Sequence, residues 1–150
     1  MYTILQARGQ VYLSVLEVCV KFHLVSSFIF LSNDVLSFDS HINFSHLLEC
    51  LKLALILQQE QDLSERDDED QKTMVAVYLL LNLGSNQAMA WALEQMTPAM
   101  LRSEPVVFAI KVTRLYNEKN FVGMFKVVKK LSLLPLLALH WKLPQIFRYI

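Results

Sequence analysis

The side chains best suited to chemistry in this 150-residue chain are four histidines, two cysteines, a run of carboxylates and a C-terminal set of lysines and arginines. His23, His41, His46 and His140 fall in different segments, and only His41 and His46 are close. Their spacing of five does not put both rings on one helical face, and no acidic partner stands in the pattern HExxH of a metalloprotease helix. Cys19 and Cys50 have neither CxxC nor Cys/His ligand spacing, so they read as separate thiols in a reducing compartment. Asp67, Asp68, Glu69 and Asp70 are consecutive, which aims carboxylates in all directions rather than at one substrate. The sequence has no nucleophile elbow, glycine-rich phosphate loop or deaminase signature. The expectation is therefore a chain that is not an enzyme, with no catalytic residue, metal site, cofactor or small-molecule substrate.

Charge is balanced over the chain, 14 Lys and Arg against 14 Asp and Glu, yet it is segregated along it. Residues 58–72 hold seven acidic and two basic side chains, while residues 101–150 hold nine basic and two acidic. Charge therefore acts segment by segment rather than as a net value. With Asn120 as N-cap, Lys126 and Lys130 lie one turn apart with Lys129 beside them, opposite an apolar side of Phe121, Met124, Phe125, Val128 and Leu131. Lys119 in the preceding turn, with Lys111 and Arg114 on the helix before it, would extend the charge into a nucleic-acid contact. The alternative is an ordinary solvated lysine face. Gly123, one turn before Lys126, would admit the close approach of a backbone or a phosphate.

Helices must position these residues. A chain of this length buries roughly 68–70% of its unfolded surface. With 54% hydrophobic residues, three glycines and four prolines, it favours helices with few breaks. Arg8, Glu17, Lys21 and His23 interrupt the N-terminus, so it is no signal peptide, and the apolar run 131–141 falls short of a span of roughly 18 residues. The expectation is a soluble intracellular protein with no membrane partner. Val11, Val15, Val18, Phe22 and Val25 form a helical stripe. The stretch 26–45 breaks the pattern; Asn33-Asp34 suits a turn, and "FIF" (28–30) could be a short strand, with helix preferred. Residues 43–60 resume helical spacing, with Asn43 or Ser45 as N-cap.

The domain reading is one helical domain: front helices in 1–59, an acidic linker over 60–72, and a stack of helical hairpins over 73–150. In the stack, helices are expected at 71–83, 85–96, 104–117, 120–132 and 134–148. Gly84 and Asn117 suit the left-handed residue that ends a helix, and Thr97-Pro98 and Ser103-Glu104-Pro105 suit helix starts. Asn117, Asn120, Phe121 and Phe125 would make one hairpin joint. A shift of 33 residues sets "YLLLNLGSNQAMAWALEQ" (78–95) on "KVTRLYNEKNFVGMFKVV" (111–128) with the same order of helix, tight turn and helix. That spacing is typical of tetratricopeptide-like arrays.

"SEPVVFAIKVTRLYNEKNFVGMFKVVKK" (103–130) resembles the central motif of the Sac-three/GANP family, a divergent branch of the PCI-type helical domains. The shared features are Ser103-Glu104, Phe108-Ala109, Asn117, Asn120-Phe121 and Phe125-Lys126. "LEVCVKFHLVSS" (16–27), with Phe22-His23 after Lys21, "LLECLKLAL" (47–55) and "VAVYLLLNLG" (75–84) resemble further helices of that family, in order, over about residues 10–147. The resemblance implies an all-α, right-handed array of stacked hairpins. It also implies a noncatalytic mRNA-export scaffold at the nuclear pore, partnered by a second PCI-domain protein and a small acidic subunit, with RNA as an auxiliary contact. Some relatives are linked instead to the centrosome and spindle. Two departures stand out: the family's Arg/Asp-rich upstream segment is absent, and the sequence stops where the winged helix should follow. The expected consequence is an open apolar partner surface on the last helix around Leu136, Leu139 and Trp141.

Overall fold

Scarce glycine and proline leave long uninterrupted helices, and every regular element among the described residues is an α-helix. The computed structural model describes residues 2–32, 40–60, 69–96 and 98–147. In chain order the helices are α1 (Tyr2–Ser32), α2 (Ser40–Glu60), α3 (Glu69–Leu81), α4 (Asn86–Gln95), α5 (Pro98–Leu101), α6 (Glu104–Asn117), α7 (Phe121–Val128) and α8 (Leu133–Phe147). This is the all-α class that the composition favours. The chain forms two compact units, residues 1–71 and 72–150. Asn33-Asp34 and most of the expected acidic linker, residues 61–68, lie outside the described residues. Glu69 to Lys72, read as linker, form the first turn of α3.

In the first unit α1 packs against α2. The "FIF" stretch continues α1 rather than forming a strand. The contact face is Leu13, Leu16, Val20 and Leu24 on α1 with Leu47, Leu51, Ala54 and Leu55 on α2, all buried. At one end Leu13, Leu16 and Ala54 cluster with Cys50 and Leu57.

At the other end a polar group sets the fit. Asn43 does not cap α2, which starts earlier at Ser40; its buried side chain crosses to α1 instead. Its Nδ2 donates to the His23 carbonyl at 3.1 Å and to Ser27 Oγ, and its Oδ1 lies 2.7 Å from His23 Nδ1. With the amide thus oriented, His23 Nδ1–H is the donor to Oδ1. A buried amide without such partners would cost about 1–3 kcal/mol.

The valine stripe faces the other way. Val11, Val15, Val18, Phe22 and Val25 are 41–66% exposed. α1 carries two apolar rows, with Ser14, Glu17 and Lys21 along a third face, so periodicity alone does not choose which apolar row packs. The face bearing His23 and Ser27 satisfies Asn43, and the leucines on that face are the ones covered. Val11–Ile29 also has the length and hydropathy of a membrane span. However, Glu17 and Lys21 interrupt it, and each charge would cost about 2.5–3.5 kcal/mol at a bilayer centre.

In the second unit α3 is the central element: every residue from Met74 to Leu81 is buried. Tyr78 packs its ring on Trp91 of α4 at 5.1 Å, and burial pushes its hydroxyl pKa above the usual range. α4 starts at its cap Ser85, whose Oγ accepts the Ala88 amide at 3.2 Å. Pro98 opens α5, and Pro105 lies in the first turn of α6. Ser103 occupies the expected N-cap position of α6 without making a side-chain cap, because its hydroxyl donates to the Met100 carbonyl at 2.6 Å.

The reversed facing of α1 is directly testable by chemical denaturation. Leu16→Ala is expected to cost about 2–5 kcal/mol, whereas Val18→Ser, on the open stripe, should stay within about 0.5 kcal/mol of the parent.

Candidate functional site

The candidate residues of the second unit gather at the turn between α6 and α7, where backbone groups dictate the geometry. α6 runs through Asn117, so Asn117 does not take the left-handed conformation expected of it. Lys119 does, at φ 58°. The Lys119 amide donates to the Tyr116 carbonyl at 3.0 Å and the Asn120 amide to the Leu115 carbonyl at 2.9 Å, the paired bonds of a Schellman end. Asn120 then begins α7: its Oδ1 accepts the Gly123 amide at 3.0 Å and its carbonyl accepts the Met124 amide at 3.0 Å. One residue closes the first helix and opens the second.

A second turn sits against this one. Gly84, at φ 92°, ends the α3 turn, and a Cβ placed there would lie 3.0 Å from Tyr116 Cε1. Tyr116 in turn meets Phe121 edge-on at 6.3 Å. The left-handed residues Gly84 and Lys119, the caps Ser85 and Asn120, and the capped amides of Ala88 and Gly123 correspond at an offset of 35 residues. The structural echo is thus two residues longer than the sequence alignment of 33 suggested, because left-handed and capping positions define the turn and side-chain similarity does not.

Gly84, Tyr116, Asn117, Lys119 and Phe121 line a partly open cavity of about 230 Å³. This is smaller than the roughly 300–1,000 Å³ of small-molecule pockets. It suits one inserted side chain or phosphate better than a substrate.

The remaining candidates are placed as follows. Lys111 and Arg114 are exposed and one turn apart on α6. Lys126 is exposed in the last turn of α7, but the helix ends at Val128, so Lys129 and Lys130 belong to the following turn and do not continue a helical face. Phe121 and Phe125 are half-buried, and the α7 core contacts are Met124 and Val127. On α8, Leu136 is open while Leu139 is 1% exposed, which corrects the expectation of an open row through both; Leu139 faces inward alongside Ala138. The side chain of Trp141 lies outside the described residues.

Two pairings were not visible in the sequence. His23 stacks on His46 at 6.1 Å as well as meeting Phe22 edge-on at 5.6 Å, and Cys19 bears on the Cys50 thiol from the other helix. Burial, with Cys19 and Glu49 alongside, raises the Cys50 thiol pKa. The signal that could have found both pairs is the shared spacing of four, Cys19 to His23 on α1 and His46 to Cys50 on α2. Among the described residues no group of three or more His, Cys, Asp or Glu side chains could hold a metal.

Gly123 has a local explanation. A Cβ there would fall 2.9 Å from Asn120 Nδ2 and 3.1 Å from its Cγ, against the side chain that caps the helix. Gly123→Ala should therefore forgo the usual gain of about 1 kcal/mol, and recover it when Asn120 is also replaced by glycine. A double-mutant cycle in denaturant measures this coupling. Lys119→Gly should stabilise the chain by roughly 1 kcal/mol, because glycine enters the left-handed region without the Cβ penalty.

No solved structure matches the chain. The family model described as SAC3/GANP matches residues 2–150. The chain belongs to the SAC3/GANP family, which points to a scaffold role related to mRNA export.

Proposed function

We propose that the chain is a noncatalytic protein-interaction scaffold of a nuclear mRNA-export assembly of the transcription-and-export type. The family match over residues 2–150 carries this reading. Its partners, by family resemblance, are a second PCI-domain protein and a small acidic subunit, and its location is the nucleus at the pore. A centrosome- or spindle-associated scaffold is the alternative placement within the same family. The open apolar row on α1 and Leu136 on α8 are side chains such a scaffold would offer to protein partners.

The test is binding of the purified chain to a purified PCI-domain partner. The expected result is a complex that Val18→Asp with Phe22→Ser weakens at least about tenfold, equal to 1.4 kcal/mol, while the helical spectrum is kept. No complex with either family partner would overturn the reading.

RNA is the auxiliary contact. The observation that favours it is a set of exposed cations, Lys111, Arg114, Lys119, Lys126, Lys129 and Lys130, on α6, α7 and their turns. Charge reversal at Lys126, Lys129 and Lys130 together should weaken binding to single-stranded RNA. It should also flatten the salt dependence by about 0.7 in log–log slope for every phosphate that is no longer neutralised. Unchanged affinity and slope would remove RNA from the proposal and leave the protein scaffold standing.

A further inference from the structure

The two cysteines are far apart in sequence but opposite one another in the α1–α2 pair. Contacts other than those of the thiols fix an antiparallel register. Leu13 and Leu16 share a cluster with Ala54, His23 stacks on His46, and His23 and Ser27 both bond Asn43. Each step forward along α1 is matched by a step back along α2. Between the Leu16–Ala54 level and the His23–His46 level, this register sets Cys19 across from Cys50. Both thiols are free and half-buried, and Cys19 is close enough to bear on the Cys50 thiol.

We propose that Cys19 and Cys50 are a redox modification site, a dithiol that closes to an intramolecular disulfide by exchange with a small disulfide of the oxidised glutathione class. The Cys19 thiolate attacks one sulfur of the small disulfide. That S–S bond breaks, a mixed disulfide forms on Cys19, and one small thiol leaves with a proton. Cys50 then loses its proton to water and attacks Cys19 Sγ, the mixed disulfide breaks, and a second small thiol leaves. Two protein thiols are oxidised and one small disulfide is reduced to two thiols. A nucleophile must be thiolate, and the burial that keeps the Cys50 thiol protonated leaves the first attack to Cys19 and the second, intramolecular one to Cys50.

Closure would tie α1 to α2 across their connection, residues 33–39, and lock the register that Asn43 sets. The disulfide needs the two α-carbons within about 7 Å, a demand that facing positions on two packed helices meet with a small approach. In a reducing compartment the dithiol is the resting form, and the disulfide forms only when the small-disulfide pool rises.

The experiment equilibrates the full chain across ratios of reduced to oxidised glutathione, quenches by alkylation, and reads intact mass and peptide map. The expected product is a monomer with Cys19 linked to Cys50, without bound glutathione, melting about ten degrees higher than the dithiol. Cys19→Ser and Cys50→Ser should each retain one glutathione and show no such shift. Glutathione on both cysteines of the parent chain, a covalent dimer, or two thiols still alkylated in excess oxidised glutathione would each overturn the proposal. The parent chain alone decides the question, whatever the fate of the variants.

Discussion

Eight consecutive side chains without access to water, Met74 to Leu81, set the constraint on which the second unit depends. A helix with no polar face must be covered all the way round, so the chain that leaves it has to turn at once and pack back. The end of α3 meets that demand with local groups: Asn82 Nδ2 donates to the Tyr78 carbonyl at 2.9 Å, Gly84 takes the left-handed conformation, and Ser85 starts α4. Trp91 then lies on Tyr78, and Tyr116 lies on Gly84. The glycine matters twice, because its φ and its missing Cβ are both in use. Tyr116 thereby sets the α6–α7 joint against the α3–α4 turn.

The first unit is governed by a polar group. α1 offers water and α2 two apolar rows, one of leucines and one mainly of valines. Burying three leucines in place of three valines favours the covered row by about 2 kcal/mol, comparable with the cost of stranding a buried amide, about 1–3 kcal/mol. Asn43 joins three groups on α1, and turning α1 to bury the valine row would separate it from His23 and Ser27. Hydrogen bonding and the larger leucine side chains thus favour the same face, and the valine row is left outside.

This distinction explains what the sequence could and could not tell. Helix positions were legible because caps and spacing are local: Asn120 and Pro105 did what their chemistry suggests, and α6 occupies the expected 104–117. The outward facing of Val15 and Val18 was not legible, because periodicity counts apolar rows without saying which is covered. Asn117 was a reasonable left-handed residue by propensity, yet the Schellman bonds place that strain two residues later, on Lys119. The Cys19–Cys50 contact depends on an interhelical register set by Asn43, a residue that single-sequence reasoning assigned to a cap. Of the α6–α7 site, the sequence singled out Asn117, Lys119 and Phe121 but neither Tyr116 nor the cavity, since Gly84 joins it from another hairpin.

Lys119 ties the joint to the functional reading. A non-glycine residue at φ 58° costs roughly 1–2 kcal/mol, and glycine would do the structural task better. What lysine adds is a cation beside a small cavity with an aromatic lining, on a turn whose amides at Glu118, Lys119 and Asn120 are all bonded. Backbone strain retained beside exposed charge argues for use of that charge. A scaffold is the setting in which such use needs no catalytic group. In the first unit the polar interior groups hold α1 and α2 in register and leave the valine row on α1 exposed, and in the second unit the cations around the α6–α7 turn are exposed.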